Sequence, residues 1–445
     1  MSWKTIRAGL WIGLAAALVA ACAGQGPVAT PTTLRHISDP TATATVAPTP
    51  DMAKAQTATR PLLLAHYMPW FQTPSVSGVW GWHWTMNRFN PNNVDDSGRA
   101  EIAAHQYPLT GPYDSRDTAI LEYQVALMKL SGIDGVIVDW YGKDDFNDYA
   151  ILNASTHKLF EAVQKAGLLF AICYEDRTVG YRVADGEVAP SRAVDVGRDT
   201  LAYLEAKWFG SPNYLTHSGR PVLFVFGNPP YFDTAEDWDS VFADLAVRPL
   251  LVTEDAAVLP DEPASYPWPP MWLSTGGVLT REALDGYLGG SYARTAGDPY
   301  RVAGAFPGFH DFYSEAGVSN SYGYLDALSG DTLQHTLDLA LASDPDVVQL
   351  ITWNDYGEGT AIEPTRETGY HYLEIVQAAR RSGIDPAFAF GPEDLGLAER
   401  LLALRRDRAG LVHAAELDAA FAAIVSGDAD LARLLLDAIP STPTP

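Results

Sequence analysis

Short continuous apolar runs alternate with helical segments between residues 60 and 385 of the chain. Parallel strands that are buried on both faces have this pattern, whereas half-exposed strands alternate apolar and polar positions. The eight predicted strands are 62–67, 135–140, 168–174, 221–226, 249–253, 271–274, 302–306 and 347–353. The clearest helical segments between them are 117–130, 156–166, 199–208 and 331–342.

Eight strand–helix units predict an α/β protein with a (β/α)8 TIM barrel, and a doubly wound open sheet is the alternative. The composition changes after residue 385, where three Ala/Leu-rich segments (393–405, 411–424 and 429–439) are typical of short helices. The sequence therefore predicts a barrel over residues 60–385 and a small helical C-terminal appendage over 386–445.

The first 59 residues do not belong to this pattern. Lys4 and Arg7 precede an apolar run over 8–21 that is short for a membrane span but fits the hydrophobic part of a signal peptide. The run ends in Val19-Ala20-Ala21-Cys22, which resembles the lipobox of bacterial lipoproteins. We therefore predict a lipoprotein signal peptide over 1–22, lipidated at Cys22, and a Thr/Pro/Ala-rich linker over 23–59. An ordinary signal peptide is the alternative. The lipobox hypothesis predicts an extracytoplasmic protein anchored to the cell membrane.

The charge and the cysteine content limit which classes of binding partner and cofactor fit the chain. The chain has 30 Lys and Arg against 55 Asp and Glu, a net charge of −25, which argues against nucleic acid and is compatible with a neutral oligo- or polysaccharide. The other cysteine, Cys173, lies in an apolar run and is expected to be a buried thiol. No short His-x-x-His or Cys-x-x-Cys spacing occurs, so we predict neither a metal nor a cofactor. We expect a monomer.

Polar and aromatic residues cluster directly after the predicted strands. The C-terminal ends of the strands form the active-site face of a barrel, and aromatic rings there can stack on sugars. For each residue, a core or satisfied polar role is the alternative. The predicted substrate-binding residues, with His66 beside them, are Tyr67, Trp70, His83, Trp84, Asp139, Trp140, Glu175, His310, Asp311, Trp353 and Asn354.

The strongest chemical motif follows the last predicted strand. Asp355 and Glu358 lie three residues apart, and glycines flank Glu358. Cleavage of a glycosidic bond needs a proton donor and a second carboxylate, which acts as base or nucleophile. A surface loop with ordinary acidic residues is the alternative, because carboxylates at this spacing are common.

The motif resembles the signature of glycoside hydrolase family 99, the endo-α-mannosidases and endo-α-mannanases. The signature reads Asn-Glu-Trp-His-Glu-Gly-Thr-x-Ile-Glu-Pro, and seven positions match here: Asn354, Glu358, Gly359, Thr360, Ile362, Glu363 and Pro364. Residues 107–117, 82–84 and 132–142 resemble further segments of the family, so the resemblance spans about 60–372. By resemblance, Glu358 is the general acid/base, and Asp355 deprotonates the 2-hydroxyl of the substrate to give an anhydro-sugar intermediate.

Two departures leave the sugar and the stereochemistry open. Asp355 stands where family 99 has Glu, and the string Trp-Asn-Asp-Tyr-Gly-Glu resembles glycoside hydrolase family 71, the α-1,3-glucanases. Asp is shorter than Glu by one methylene, and activation of water is the alternative role for Asp355. We expect a cofactor-independent, endo-acting glycoside hydrolase for α-mannan or a related α-glucan. The alternatives are a non-catalytic glycan-binding surface lipoprotein and a transglycosylase that uses the same site.

Overall fold

Eight parallel strands form one continuous sheet in the computed structural model, which describes residues 61–407 and 412–440. The predicted signal peptide, the predicted lipidation site Cys22 and the predicted linker lie outside these residues. The strands are β1 (Leu62–Tyr67), β2 (Gly135–Trp140), β3 (Leu169–Tyr174), β4 (Arg220–Val225), β5 (Leu250–Glu254), β6 (Ser265–Tyr266), β7 (Val302–Ala305) and β8 (Val347–Leu350). Three two-residue strands, Thr216–His217, Phe309–His310 and Tyr324–Leu325, lie outside the parallel sheet.

The sheet curls into a nearly closed barrel. Its strand order is β6-β5-β4-β3-β2-β1-β8-β7, and every neighbouring pair is parallel. Strands β6 and β7 meet at Gly304, where an added β-carbon would lie 3.1 Å from the carbonyl oxygen of Pro267. No ladder joins these two strands in the part of the chain that the structure describes. The predicted TIM barrel is confirmed, and the open sheet is excluded.

The sixth predicted strand is wrong. Met271–Leu273 forms a 3-10 helix, and β6 lies earlier, at Ser265–Tyr266. Prolines at 267, 269 and 270 separate the two segments. Proline has no backbone N–H to donate to a ladder, so the apolar run at 271–274 does not continue the sheet.

Helices follow seven of the eight strands. The connection between β5 and β6, residues 255–264, has no helix. The longer helices are α1 (Thr118–Ser131), α2 (Tyr149–Lys165), α3 (Arg177–Ala184), α4 (Ala193–Leu204), α5 (Ala235–Phe242), α6 (Arg281–Thr295), α7 (Asp331–Ala342), α8 (His371–Ala379), α9 (Pro392–Arg406), α10 (Ala414–Ser426) and α11 (Ala429–Ala438). One-turn helices occur at Pro74–Ser77 and Trp82–Thr85, 3-10 turns at Pro190–Arg192 and Leu328–Gly330, and π-helical turns at Glu205–Phe209 and Arg380–Ile384.

The predicted C-terminal helices are present as α9, α10 and α11, and they pack onto the barrel. Leu401 and Phe421 are buried in the same apolar core as the strands. Arg405 of α9 donates a 2.9 Å hydrogen bond to Glu122 of α1, which joins the appendage to the first barrel helix. None of the described helices is both long and apolar enough to cross a membrane.

Successive side chains on a strand point to opposite faces of the sheet, and this alternation decides which predicted residues can reach the barrel interior. On β1 the ring of His66 faces inward, whereas the Tyr67 hydroxyl donates outward to Gln124 of α1. On β2 Asp139 faces inward, and Trp140 stacks outside the barrel on Tyr203.

Candidate active site

A cleft of about 760 Å³ opens at the C-terminal ends of the strands. Four carboxyl groups line it, those of Asp139, Glu175, Asp355 and Glu358, together with aromatic rings and His66 and His83. No Lys or Arg is among its lining residues within the described ranges. The cleft is therefore acidic, and a neutral or positively charged group fits it better than an anion.

A tightly bonded loop after β8 holds Asp355 and Glu358 in the cleft. Thr352 Oγ1 accepts the Asp355 backbone N–H at 2.8 Å, and Asp355 Oδ1 accepts the Glu358 backbone N–H at 2.9 Å. The loop then turns at Gly359, whose φ is +67° and whose added β-carbon would lie 2.6 Å from the His310 carbonyl oxygen. Only glycine fits this turn, as the sequence predicts; Gly357 has no positive φ.

The environments of the two carboxyl groups separate their pKa values. Burial raises the pKa of Asp355 to about 6, while hydrogen bonds from the backbone N–H groups of Glu358 and Gly357 oppose this rise. Burial raises the pKa of Glu358 well above its usual range, and the negative charges of Asp355 and Asp311 add to the effect. Glu358 therefore keeps its proton at a pH where Asp355 is ionised, and such a pair can supply both an acid and a base.

A buried hydrogen-bond network supports the loop from behind, with Glu363 at its centre. One carboxylate oxygen accepts the Gln124 amide at 2.7 Å, and the other accepts the Tyr113 and Tyr356 hydroxyls, each at 2.7 Å. Asn354 extends the network, because its amide donates to Tyr113 at 3.0 Å. The network fixes the position of the loop that carries Asp355 and Glu358 without reaching the cleft.

Four of the predicted binding residues line the cleft, namely Trp70, His83, Asp139 and Glu175, and so does His66. The rings of Trp70 and His83 stack with centroids 4.0 Å apart. Burial lowers the pKa of His83 to about 3, so the ring is neutral. Burial also raises the pKa of Glu175 to about 7.

Five predicted binding residues lie behind the cleft wall: Tyr67, Trp84, Trp140, Trp353 and Asn354. All are fully buried, and none lines the cleft. As described above, the side chains of Tyr67 and Trp140 point out of the barrel, and that of Asn354 belongs to the network around Glu363. The Trp84 indole donates to the Tyr113 carbonyl at 2.8 Å. Direct contact between these five and a ligand is not supported by their positions, because strand alternation or the loop turns them away.

His310 and Asp311 also lie outside the main cleft. His310 is exposed, and its ring stacks on His105 at 3.7 Å. Asp311 is buried and accepts hydrogen bonds from the Ser321 hydroxyl at 2.8 Å and the Tyr322 backbone at 2.7 Å. Asp311 therefore orders the segment that carries Tyr322, a residue of the adjoining compartment described below.

Several residues of the site escaped the sequence prediction: Trp82, Tyr141, Trp268 and Tyr313 line the cleft, and the charge of Glu254 acts on Glu358. Burial raises the pKa of Glu254 to about 8, and one of its oxygens accepts the Gly227 N–H at 2.9 Å. Glu254 directly follows predicted strand 249–253, so the rule that strand ends carry functional residues could have found it. Trp268 follows the observed β6 and precedes the segment 271–274 that was predicted as the sixth strand, so no signal in the sequence marked it.

A second compartment of about 400 Å³ adjoins the cleft. Trp268 and Glu358 border both spaces, so Glu358 lies at their junction. The remaining walls of the second compartment are mostly apolar and include Trp272 and Phe309.

The molecule is thus a (β/α)8-barrel protein with an acidic cleft at the C-terminal face of the barrel. Two structures of a family 99 endo-α-mannosidase from Bacteroides thetaiotaomicron share this fold. One, a complex with bis-tris propane, has a TM-score of 0.53 and 19% identity and covers 71% of this chain and 95% of that chain. The other has a TM-score of 0.51 and 17% identity and covers 76% and 98%.

A structure described as a glycoside hydrolase-like protein has a TM-score of 0.50 and 13% identity, covering 72% of this chain and 93% of that chain. The resemblance to family 99 is therefore confirmed for the fold, while the local resemblance to family 71 stays a prediction.

Among curated proteins, the uncharacterized protein WxcX from two strains of Xanthomonas campestris pv. campestris is 24% identical over 361 residues, 73% of this chain. The chain spans about half the length of these relatives. No family model matches the chain.

Proposed function

We propose that the protein is an endo-acting glycoside hydrolase that cleaves α-linked glycans, either α-mannan or a related α-glucan. The observation that carries this proposal is the pairing of Glu358 and Asp355 on one loop, with the higher pKa on Glu358. The endo-α-mannosidase name of two structural neighbours agrees with the proposal.

In the proposed reaction, Glu358 donates its proton to the oxygen of the leaving sugar. Asp355, ionised near neutral pH, removes the proton from the 2-hydroxyl of the sugar at the scissile bond. The 2-oxygen then closes on the anomeric carbon as the leaving sugar departs. Water opens this anhydro ring at the anomeric carbon, Glu358 takes up a proton from that water, and Asp355 returns its proton to the 2-oxygen. The acidic cleft favours the positive charge that develops on the sugar ring in the transition state.

Endo action is supported by the shape of the site. Glu358 lies where the two compartments meet, so sugar units could occupy both sides of the bond that it protonates. The stacked Trp70 and His83 rings offer an aromatic wall on one side, and Trp272 and Phe309 offer one on the other. Aromatic faces of this kind pack against the C–H faces of sugars.

We also propose that a lipidated Cys22 anchors the protein to the membrane, and that the linker over 23–59 separates the barrel from the bilayer. The support is the lipobox-like sequence alone. A polymeric glycan outside the cell would then be accessible to the cleft.

The experiment is release of reducing ends from a panel of α-mannans and α-glucans by the purified protein. We expect release of oligosaccharides by the wild type and by Asp145→Asn, which changes an exposed carboxylate outside the cleft, and strong loss in Asp355→Asn. Glycan binding without release by the wild type would contradict the proposal and indicate a binding protein. Products that lengthen when acceptor sugars are added would indicate a transglycosylase.

A further inference from the structure

Three potential metal ligands meet on the inner face of adjacent strands. His66 of β1, Asp139 of β2 and Cys173 of β3 each place one nitrogen, oxygen or sulfur atom within 4.8 Å of the other two. Asp139 and Cys173 are direct partners in the β2–β3 register, and His66 pairs with Ile137, two residues before Asp139. The barrel therefore brings together three residues that are far apart in sequence.

Three polar atoms of this cluster have no hydrogen-bond partner among the described residues. Nε2 of His66 and both carboxylate oxygens of Asp139 are buried without a hydrogen bond from any described residue. The sulfur of Cys173 lies 3.7 Å from the Tyr266 hydroxyl, which donates to the Val225 carbonyl at 3.1 Å. Buried polar groups without partners are costly, and such groups in native proteins point to a bound ion, water or ligand.

We propose that His66, Asp139 and Cys173 bind a zinc-class divalent metal ion at the floor of the cleft. Imidazole, carboxylate and thiolate are the ligand types of zinc, and three protein ligands leave a fourth position open. His66 and Asp139 line the cleft, so the fourth position faces it and would take water or a sugar hydroxyl. Zinc–ligand bonds are about 2.0–2.3 Å long, so the ligand atoms need to approach one another by about 1 Å.

Gln349 of β8 supplies the outer contact that a ligating histidine requires. The amide nitrogen of Gln349 lies 2.8 Å from Nδ1 of His66, and the amide oxygen has no hydrogen-bond partner among the described residues. Metal binding through Nε2 therefore requires a half-turn of the amide, after which the oxygen accepts the Nδ1 proton and the lone pair of Nε2 is available to the metal. On coordination, the S–H bond of Cys173 is replaced by a metal–sulfur bond, and the proton leaves to solvent.

The surface group of His105, His310 and Glu315 is a weaker candidate for a metal site. The two rings are stacked 3.7 Å apart and tilted by only 9°, so their in-plane lone pairs run parallel and do not converge on one point. His310 and Glu315 are also exposed, so water can satisfy them.

The test is titration of the full-length protein with Co²⁺, because a thiolate bound to cobalt gives a charge-transfer absorption band. We expect the band at one equivalent, its loss on addition of Zn²⁺, and its absence in Cys173→Ser. The matched control is Cys22→Ser, which changes the other cysteine of the chain and should keep the band. Gln349→Ala should weaken zinc affinity by about 10- to 100-fold, the usual effect of removing an outer-shell partner.

Absence of a cobalt–thiolate band in the folded wild type would overturn the proposal. Its persistence in folded Cys173→Ser would do the same. If Cys173→Ser does not fold, Asp139→Asn and His66→Gln should each lower zinc content after dialysis, and unchanged content in both would refute the site. These measurements need no turnover, so they remain informative whether or not the protein hydrolyses glycans.

Discussion

The backbone N–H of Glu358 donates a 2.9 Å hydrogen bond to Oδ1 of Asp355. This bond favours the ionised form of Asp355, because a backbone donor stabilises the negative charge of its acceptor. It also holds the backbone of Glu358 next to that charge. The Gly357 N–H acts in the same direction. Asp355 is therefore the carboxyl group that ionises first, and its charge in turn helps to hold the proton on Glu358.

Replacing the proton donor should affect substrates unequally. We expect Glu358→Gln to slow cleavage of natural glycans by about 100-fold or more, the usual scale of general acid catalysis. A substrate with an activated aryl leaving group needs no proton and should lose much less activity. Comparison of kcat/KM for both substrates in the variant and the wild type measures this difference, and equal losses would refute the acid role.

The pH dependence of kcat/KM should be bell-shaped. Activity needs Asp355 ionised, so it should fall about tenfold per pH unit below its pKa of about 6. It also needs Glu358 protonated, so it should fall again above the raised pKa of that group. Glu254→Gln removes a nearby negative charge that raises the pKa of Glu358.

The pH profile of Glu254→Gln therefore offers a control, because the charge of Glu254 acts on Glu358. Its alkaline limb should move to lower pH, while its acid limb should stay in place, since Glu254 is not among the groups that shift the pKa of Asp355. A flat profile in the wild type, or movement of the acid limb alone in the variant, would contradict the assignment of the two groups.

Seven of the eight strands could be predicted from their apolar runs, because a parallel sheet buried on both faces leaves little room for polar residues. The sixth could not. Ser265–Tyr266 is only two residues long, and the apolar segment that follows its prolines is more hydrophobic than the strand itself. Strand pairing across the barrel, rather than local composition, determines where that strand lies.

The sequence could predict which strand ends carry the site. It could not predict which side chains at those ends point into the cleft. The rule that strand ends carry function applies to His66 and Tyr67 alike, and only alternation decides that His66 faces the cleft. Continuous apolar runs conceal this alternation, since both faces are buried. The contacts of Glu363 with Gln124 and Tyr113 were beyond sequence reasoning, because they join residues that are 239 and 250 positions apart.

Glu363 should act as a positioning residue. Glu363→Gln replaces an acceptor of three hydrogen bonds by an amide that can accept fewer, and unsatisfied buried donors cost about 1–3 kcal/mol each. We expect a lower free energy of unfolding and a fall in kcat that exceeds any change in KM, because the loop carrying Asp355 and Glu358 loses its support. Urea unfolding and steady-state kinetics measure the two effects.

Tyr67→Phe is the matched control for this network. It removes one hydrogen bond to Gln124 at the edge of the network and leaves the three bonds to Glu363 intact. The substitution should destabilise the protein less and leave kcat near the wild-type value. If Tyr67→Phe reduced kcat as much as Glu363→Gln, the supporting role would not be specific to Glu363.

Anchoring should depend on Cys22 and on no residue of the barrel. Cys22→Ala removes the only thiol at the lipobox-like site, so we expect the protein to leave the membrane fraction or to fail to mature. Cell fractionation checks this, with the specific activity of the released protein compared with that of the wild type. Cys173→Ser is the control and should remain in the membrane fraction. Membrane retention of a correctly processed Cys22→Ala protein would contradict lipidation.

The stereochemical outcome tests the role of Asp355 most directly. If Asp355 acts on the 2-hydroxyl, an α-linked substrate should give the α-anomer first, and a substrate methylated at that 2-oxygen should not be cleaved. Asp355→Glu lengthens the side chain by one methylene and should keep the same anomer, because the longer group still reaches the 2-hydroxyl. Separation of the two carboxyl groups is a poor guide here, since the substrate supplies the nucleophile in this mechanism.

Proton NMR of the first-formed product distinguishes the two mechanisms. The match of Gly359, Thr360 and Glu363 to the family 99 signature favours retention, whereas the string from Asp355 to Glu358 resembles the family 71 pattern. More of the chain supports retention, and two backbone N–H groups fix Asp355 on the same loop as the acid. An initial β-anomer, with cleavage of the 2-O-methyl substrate, would instead show that Asp355 activates water and that the configuration inverts.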